Sequence, residues 1–159
     1  MDQKALFIGF WEKEAAATRQ VIARIPDGSE YRPDPKSRTA REIAWLITHE
    51  QVMLLDGLER GTLEWDDRPV PDTMKEIVDT YDKLHTSASS RLRAIPDVHW
   101  EQPVPFLFQG SEAWRSPGQE MAWGFLFDVI HHRGQLSTYL RPMGAKVPQI
   151  YGPSADEPM

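Results

Sequence analysis

The sequence predicts an all-α protein, a four-helix bundle of 159 residues folded as one domain. Three observations lead there. Four segments of roughly twenty residues carry apolar side chains at helical spacing. Stretches rich in proline and glycine separate them. Two of the four open on a Thr-x-x-Glu capping box, in which side chain and backbone satisfy each other's unpaired groups.

The first predicted helix runs from Asp2 to Ile25, with Phe7, Phe10, Trp11, Val21, Ile22 and Ile25 on one stripe, and Pro26 and Gly28 end it. The connection PDGSEYRPDPKSR holds three prolines and cannot be helical throughout. The second helix starts at the box Thr39–Glu42 and stops at Gly61. A polar connection leads from Gly61 to Pro71. The third starts at the box Thr73–Glu76 and ends at Pro96. VPFLFQG, short, apolar and flanked by proline and glycine, reads as an extended arm before the last helix: one arm of a hairpin or an edge strand. The fourth helix is expected to open on SPGQ, Ser116 capping and Gln119 completing a box, and to run to Leu140. Ile150 and Tyr151 of the tail are expected to pack back on the bundle.

Composition narrows the function. No apolar run approaches the ~20 residues that span a bilayer. The opening MDQKALFIGFWEKE meets acidic residues too soon for a secretory signal. With no cysteine there are no disulfides and no thiolate ligands, which suits a cytoplasmic protein. The net charge of −6, without a lysine and arginine cluster, argues against nucleic acid as a partner.

One constellation stands out. At ~100° per residue, Met121, Phe125, Asp128, Gln135 and Tyr139 fall on the same face of the fourth helix as His132. That face is mostly apolar and should point inward. A buried carboxylate needs compensation, so Asp128 must pair with a cation, take a proton or bind a metal. On the second helix His49 lies between Trp45 and Met53 and should also point inward. His49, Asp128 and His132 make two imidazoles and a carboxylate, the composition of a facial triad for divalent transition metals, with positions left open for water or substrate. The bland reading stands beside it. Asp and His four apart also form a plain ion pair, and a histidine on an apolar face is often only a core residue. His85 is a reserve ligand, His99 reads as structural or exposed, and Asp56 as a partner for an arginine.

The run HHRGQLSTYLRPMG resembles the DinB-like family, DNA-damage-inducible four-helix bundles within the wider group of thiol-dependent transferases. His132, Arg133, Gly134 and Gln135, then Leu140, Arg141 and Gly144, carry the resemblance, and VPQIYG and His49 extend it over nearly the whole chain. The resemblance implies a divalent metal held by three histidines, carried onto His49, position 128 and His132. Position 128 is Asp, which makes the site harder and more negative and leaves zinc, nickel, manganese or iron as the metal. Gly134 is expected to permit close helix packing, Gln135 to orient a ligand from behind, and Arg133 and Arg141 to form solvated ion pairs or hold an anion.

The resemblance implies a metal-dependent enzyme of transferase or isomerase type. A low-molecular-weight thiol would serve as cosubstrate, since the chain has no thiol of its own. A bound divalent ion would bring the pKa of that thiol, or of water, toward neutrality. His131, Tyr139 and Glu50 are possible proton carriers. A metal-dependent hydrolase uses the same residues. A third reading is a non-enzymatic metal- or ligand-binding bundle of the stress response. The resemblance also implies a homodimer, with Trp65, Trp100 and Trp114 as candidates for its interface.

Overall fold

The computed structural model describes residues 2–159. Its elements, in chain order, are α1 (Gln3–Ile22), α2 (Ala40–Arg60), β1 (Leu63–Trp65), α3 (Met74–Ala94), α4 (Asp97–Glu101), β2 (Pro103–Phe108), β3 (Ser111–Pro117), α5 (Gly118–Leu140) and a 3-10 turn at Arg141–Met143. The long helices α1, α2, α3 and α5 form the bundle. α1 packs on α3 and α5, and α2 packs on the same two. Two apolar clusters fill it: one around Phe7, Trp11, Leu54, Leu58 and Leu126, the other around Ile22, Ile47, Ile77, Tyr81 and Leu136.

Both capping boxes form. Thr39 N donates to Glu42 Oε2 at 2.7 Å, and Glu42 N donates to Thr39 Oγ1 at 3.2 Å. Thr73 and Glu76 repeat the exchange. Gly61 closes α2 in the left-handed region, at φ 75°. α1 stops short of the expected Ile25. The amides of Arg24 and Ile25 turn to the carbonyls of Val21 and Ile22 as the chain tightens toward Pro26.

The start of the last helix differs from expectation. Ser116 and Pro117 belong to β3, paired with Val104 and Pro103 of β2, and no side chain caps α5. Strand pairing holds Ser116 extended, so the expected box cannot close. The chain passes straight from strand to helix at Gly118, where a Cβ would lie 2.0 Å from the carbonyl oxygen of His99. Only glycine fits so close to α4.

VPFLFQG does form a hairpin arm, but β2 is the central strand of a three-stranded sheet, not its edge. β1, inside the stretch expected as a polar connection, pairs parallel with β2 through Leu63 and Phe106. β2 and β3 turn at Gln109–Gly110, both with positive φ, as two-residue hairpins require. The helix α4 was not expected. His99 lies in it, its Nδ1 2.9 Å from the carbonyl oxygen of Leu58.

Three side chains sit differently from their sequence reading. Trp100 is buried and cannot line an interface. The exposed apolar side chains of the long helices, Leu6, Phe10 and Phe127, lie instead on α1 and α5, with the Trp123 ring tilted between Phe10 and Phe127. Gly134 meets nothing: a Cβ there would face open space, so no close packing explains it. Arg133 is neither solvated nor free. It is 2 % exposed and donates to Glu14 Oε2 at 2.5 Å, and Tyr151 Oη donates to the same oxygen at 2.7 Å. The buried Arg133–Glu14 pair ties the tail to α1 and α5 through the hydroxyl of Tyr151, whose ring is largely exposed, while Ile150 packs on the bundle as expected.

Two outcomes follow. Gly134→Ala should stabilise the protein by about 0.5–1 kcal/mol in urea unfolding, because alanine favours a helix and finds room; destabilisation would mean that the position is closed. Arg133→Met should lose about 3–5 kcal/mol by stranding the Glu14 carboxylate, and adding Glu14→Leu should recover much of it. Additive losses in the double variant would show that the pair does not act as a unit.

Candidate functional site

The site forms where α2 and α5 pack beneath the sheet. On α2, Leu46 and Glu50 lie four residues apart on one face and line a groove of about 540 Å³. Asp128 and His132 of α5, also four apart, line it from the other side. Trp65 of β1, Phe106 of β2, Trp114 of β3 and Phe125 of α5 form its walls. Phe106 and Trp114 are stacked, 3.9 Å between centroids and 8° between planes. Arg38 and Glu120, both exposed, also line it.

The polar groups of the groove are coupled. His132 Nε2 lies 3.2 Å from Asp128 Oδ2, and His132 Nδ1 donates to Gln135 Oε1 at 2.8 Å. Gln135 Nε2 stands 3.2 Å from Nε2 of the exposed His131. Asp128, His132, Gln135 and His131 thus form a polar chain from the groove to the surface. Gln135 holds the His132 ring from behind. Glu50 is 2 % exposed, and its Oε1 has no hydrogen-bond partner among the described residues. Burial first, then the hydrogen bond and charge of Asp128, push its carboxyl up to about 10. At neutral pH Glu50 therefore carries a proton.

His49 is elsewhere. Its ring stacks on Trp45 and meets the edge of Trp65. Its Nε2 faces Asp66, 2.8 Å from the backbone oxygen and 2.5 Å from Oδ1, so that nitrogen carries the proton. Its Nδ1 is buried and has no partner among the described residues. His49 opens on a smaller cleft with Trp45, Asp66 and Arg68, which adjoins the groove through Arg38, Leu46 and Trp65 but whose lining lacks Asp128 and His132.

A model of the DinB family matches residues 1–159. The chain belongs to the DinB family. It is 28 % identical over 163 residues to the uncharacterized protein YrdA of Bacillus subtilis (strain 168), covering 95 % of this chain and 89 % of YrdA. Two crystal structures share the fold. A DinB-like protein from Bacillus cereus ATCC 10987 superposes with a TM-score of 0.74 at 23 % identity, over 91 % of this chain and 95 % of that one. The DinB-like protein YjoA of Bacillus subtilis gives 0.71 at 15 %, over 91 % and 97 %.

The three expected donors of this DinB chain do not converge. Asp128 and His132 stand side by side, but the α2 side chain that faces them is Glu50. His49, one residue earlier, is turned about 100° away by helix geometry and is engaged by Asp66. Among the described residues no three His, Asp or Glu side chains are grouped to hold a metal ion. A shared ion on His49, Asp128 and His132 does not fit this arrangement. Glu50 was visible in the sequence only as a proton carrier. The stronger signal was its place four residues after Leu46 and four before Leu54, on a buried face.

The remaining candidates are structural. Asp56 pairs with Arg91 at 2.6 Å, as its alternative reading proposed. Arg141 pairs with Asp156 at 3.0 Å. Tyr139 packs edge-on against Tyr31. His85 lies between Trp11 and Tyr81, far from the groove's lining, with its Nε2 buried and unpartnered. Burial lowers its pKa to about 4. Because the folded pKa is depressed from 6.5, His85 adds stability above about pH 6.5 that is lost as the pH falls toward 4. His85→Gln should flatten the stability profile between those limits, where the slope from one such group stays below about 1.4 kcal/mol per pH unit. Parallel profiles for variant and parent in thermal melts would refute the burial of a neutral ring.

Proposed function

We propose that this DinB-family bundle binds a small organic molecule in the groove between α2, α5 and the sheet. One observation carries the reading: a cleft of about 540 Å³ with aromatic walls and a few convergent polar groups, one of them a buried and unsatisfied carboxyl. Ligand sites have that size and composition. A larger depression, about 910 Å³, near Asp2, Lys4, Glu12, Arg93 and Asp97 is less suited. Its charges are of both signs, and Lys4 already pairs with Asp97.

Within the groove the residues of this chain have distinct tasks. Trp65, Phe106, Trp114 and Phe125 give an apolar body a surface to lie on. Glu50, which carries a proton, and Asp128 can donate or accept a proton at a ligand atom. His132, fixed by Gln135, offers a second polar contact beside Asp128.

A second reading, a divalent-metal enzyme working with a low-molecular-weight thiol, has one observation in its favour. Asp128 and His132 are adjacent, and His49 has a buried nitrogen without a partner. It requires His49 to leave Asp66.

A crystallographic fragment soak of metal-free protein tests the first reading. Fragments should collect between Trp65 and Trp114 above Asp128, and density confined to other surfaces would overturn it. Elemental analysis separates the second. Stoichiometric zinc, nickel, manganese or iron in the parent, lost in both His49→Ala and His132→Ala while they remain folded, would establish the metal reading in its place.

A further inference from the structure

We propose that the groove selects an organic ammonium ion, a primary or secondary ammonium borne on a flat apolar body. This rests on the reading of the groove as a small-molecule site and adds the chemical class of its ligand.

Charge is the first argument. Three carboxylic acids, Glu50, Glu120 and Asp128, line the groove against one guanidinium, Arg38. Arg38 and Glu120 are both exposed and screened by water, which leaves the Asp128 carboxylate, beside the protonated Glu50, as the charge at the floor. An anionic ligand would meet a floor of like sign.

Hydrogen bonding is the second. Glu50 Oε1 is buried without a partner, and leaving such a group unsatisfied costs about 1–3 kcal/mol. Glu50 and Asp128 line the same groove, so one donor group with several N–H bonds can reach both. A primary or secondary ammonium has such bonds. A quaternary ammonium has none, and a neutral arene brings neither donor nor charge.

The walls supply the third. The faces of aromatic rings attract cations, tryptophan most strongly. Trp65 and Trp114 stand on the sheet side of the groove, with Phe106 behind Trp114. A ligand whose ammonium lies at Asp128 and Glu50 can rest its body against these rings. The groove thus combines a recessed acidic floor with an aromatic rim, and the polarity along it sets the orientation of the ligand.

Isothermal titration calorimetry of the full chain, stripped of metal, tests this with three probes sharing one ring system: tryptamine, its N,N,N-trimethyl derivative and indole-3-propionate. Tryptamine should bind at least about tenfold tighter than indole-3-propionate and measurably tighter than the trimethyl derivative. Glu50→Gln should weaken tryptamine about tenfold, and so should Asp128→Asn, a half-exposed position whose substitution leaves the fold intact. Indole-3-propionate binding as tightly as tryptamine would overturn the proposal. So would tryptamine affinity unchanged in both variants, or no binding of tryptamine at all. If all three indoles bind alike and Trp114→Ala weakens each, the groove remains a ligand site and only the ammonium class falls. If none responds to Trp114→Ala and fragments avoid the groove, the underlying reading falls as well.

Discussion

Two carboxyl groups meet where α2 and α5 pack, and the site is arranged around that encounter. Glu50 comes from a helix face otherwise given to Ile43, Leu46, Ile47 and Leu54, and Asp128 from a face shared with Met121, Phe125 and Leu136. Two ionised carboxylates cannot share such a place, so one holds a proton. The sheet roofs the groove above them with the aromatic side chains Trp65, Phe106 and Trp114.

The rest of the fold keeps that arrangement in position. The polar chain through His132 and Gln135 fixes one side of the floor. The buried Arg133–Glu14 pair, on the next residue of α5 and the opposite flank, locks that helix to α1 and sets its rotation. Gly118 lets α5 begin against α4, directly after β3, so Trp114 and Phe125 come from one continuous stretch of chain to the same groove. In HRGQ, His132 and Gln135 therefore serve the groove while Arg133 serves the bundle.

Much of this was legible in the sequence, and the failures have physical causes. The long helices, both capping boxes and the inward turn of His132 follow from spacing alone, because each depends on residues within two turns of one another, whereas Asp128, expected buried, stands half-exposed at the groove. Membership of the DinB family follows from the motif that ends α5. The sheet was harder. β1 is three residues long and owes its existence to Phe106, more than forty residues on, which no local pattern reports. The cap at Ser116 was misjudged because strand pairing outweighed a favourable local motif. His49 and Glu50 are neighbours, and a one-residue difference in rotation about α2 decides which of them faces α5. The stacking of His49 on Trp45 and its bond to Asp66 settle that choice, and Asp66 lies outside the helix. Trp114 and Trp65 line the groove because the sheet places them there.

The account's central claim is that ligands enter above Glu50 and Asp128. An NMR titration of the indole N–H signals with an aromatic amine tests it most directly, because the six tryptophans are spread over the molecule. The signals of Trp65 and Trp114 should move together and saturate together, while those of the buried Trp11 and Trp100 stay fixed. Saturating shifts confined to Trp123, on the outer face of α1 and α5, with Trp65 and Trp114 unmoved, would contradict it.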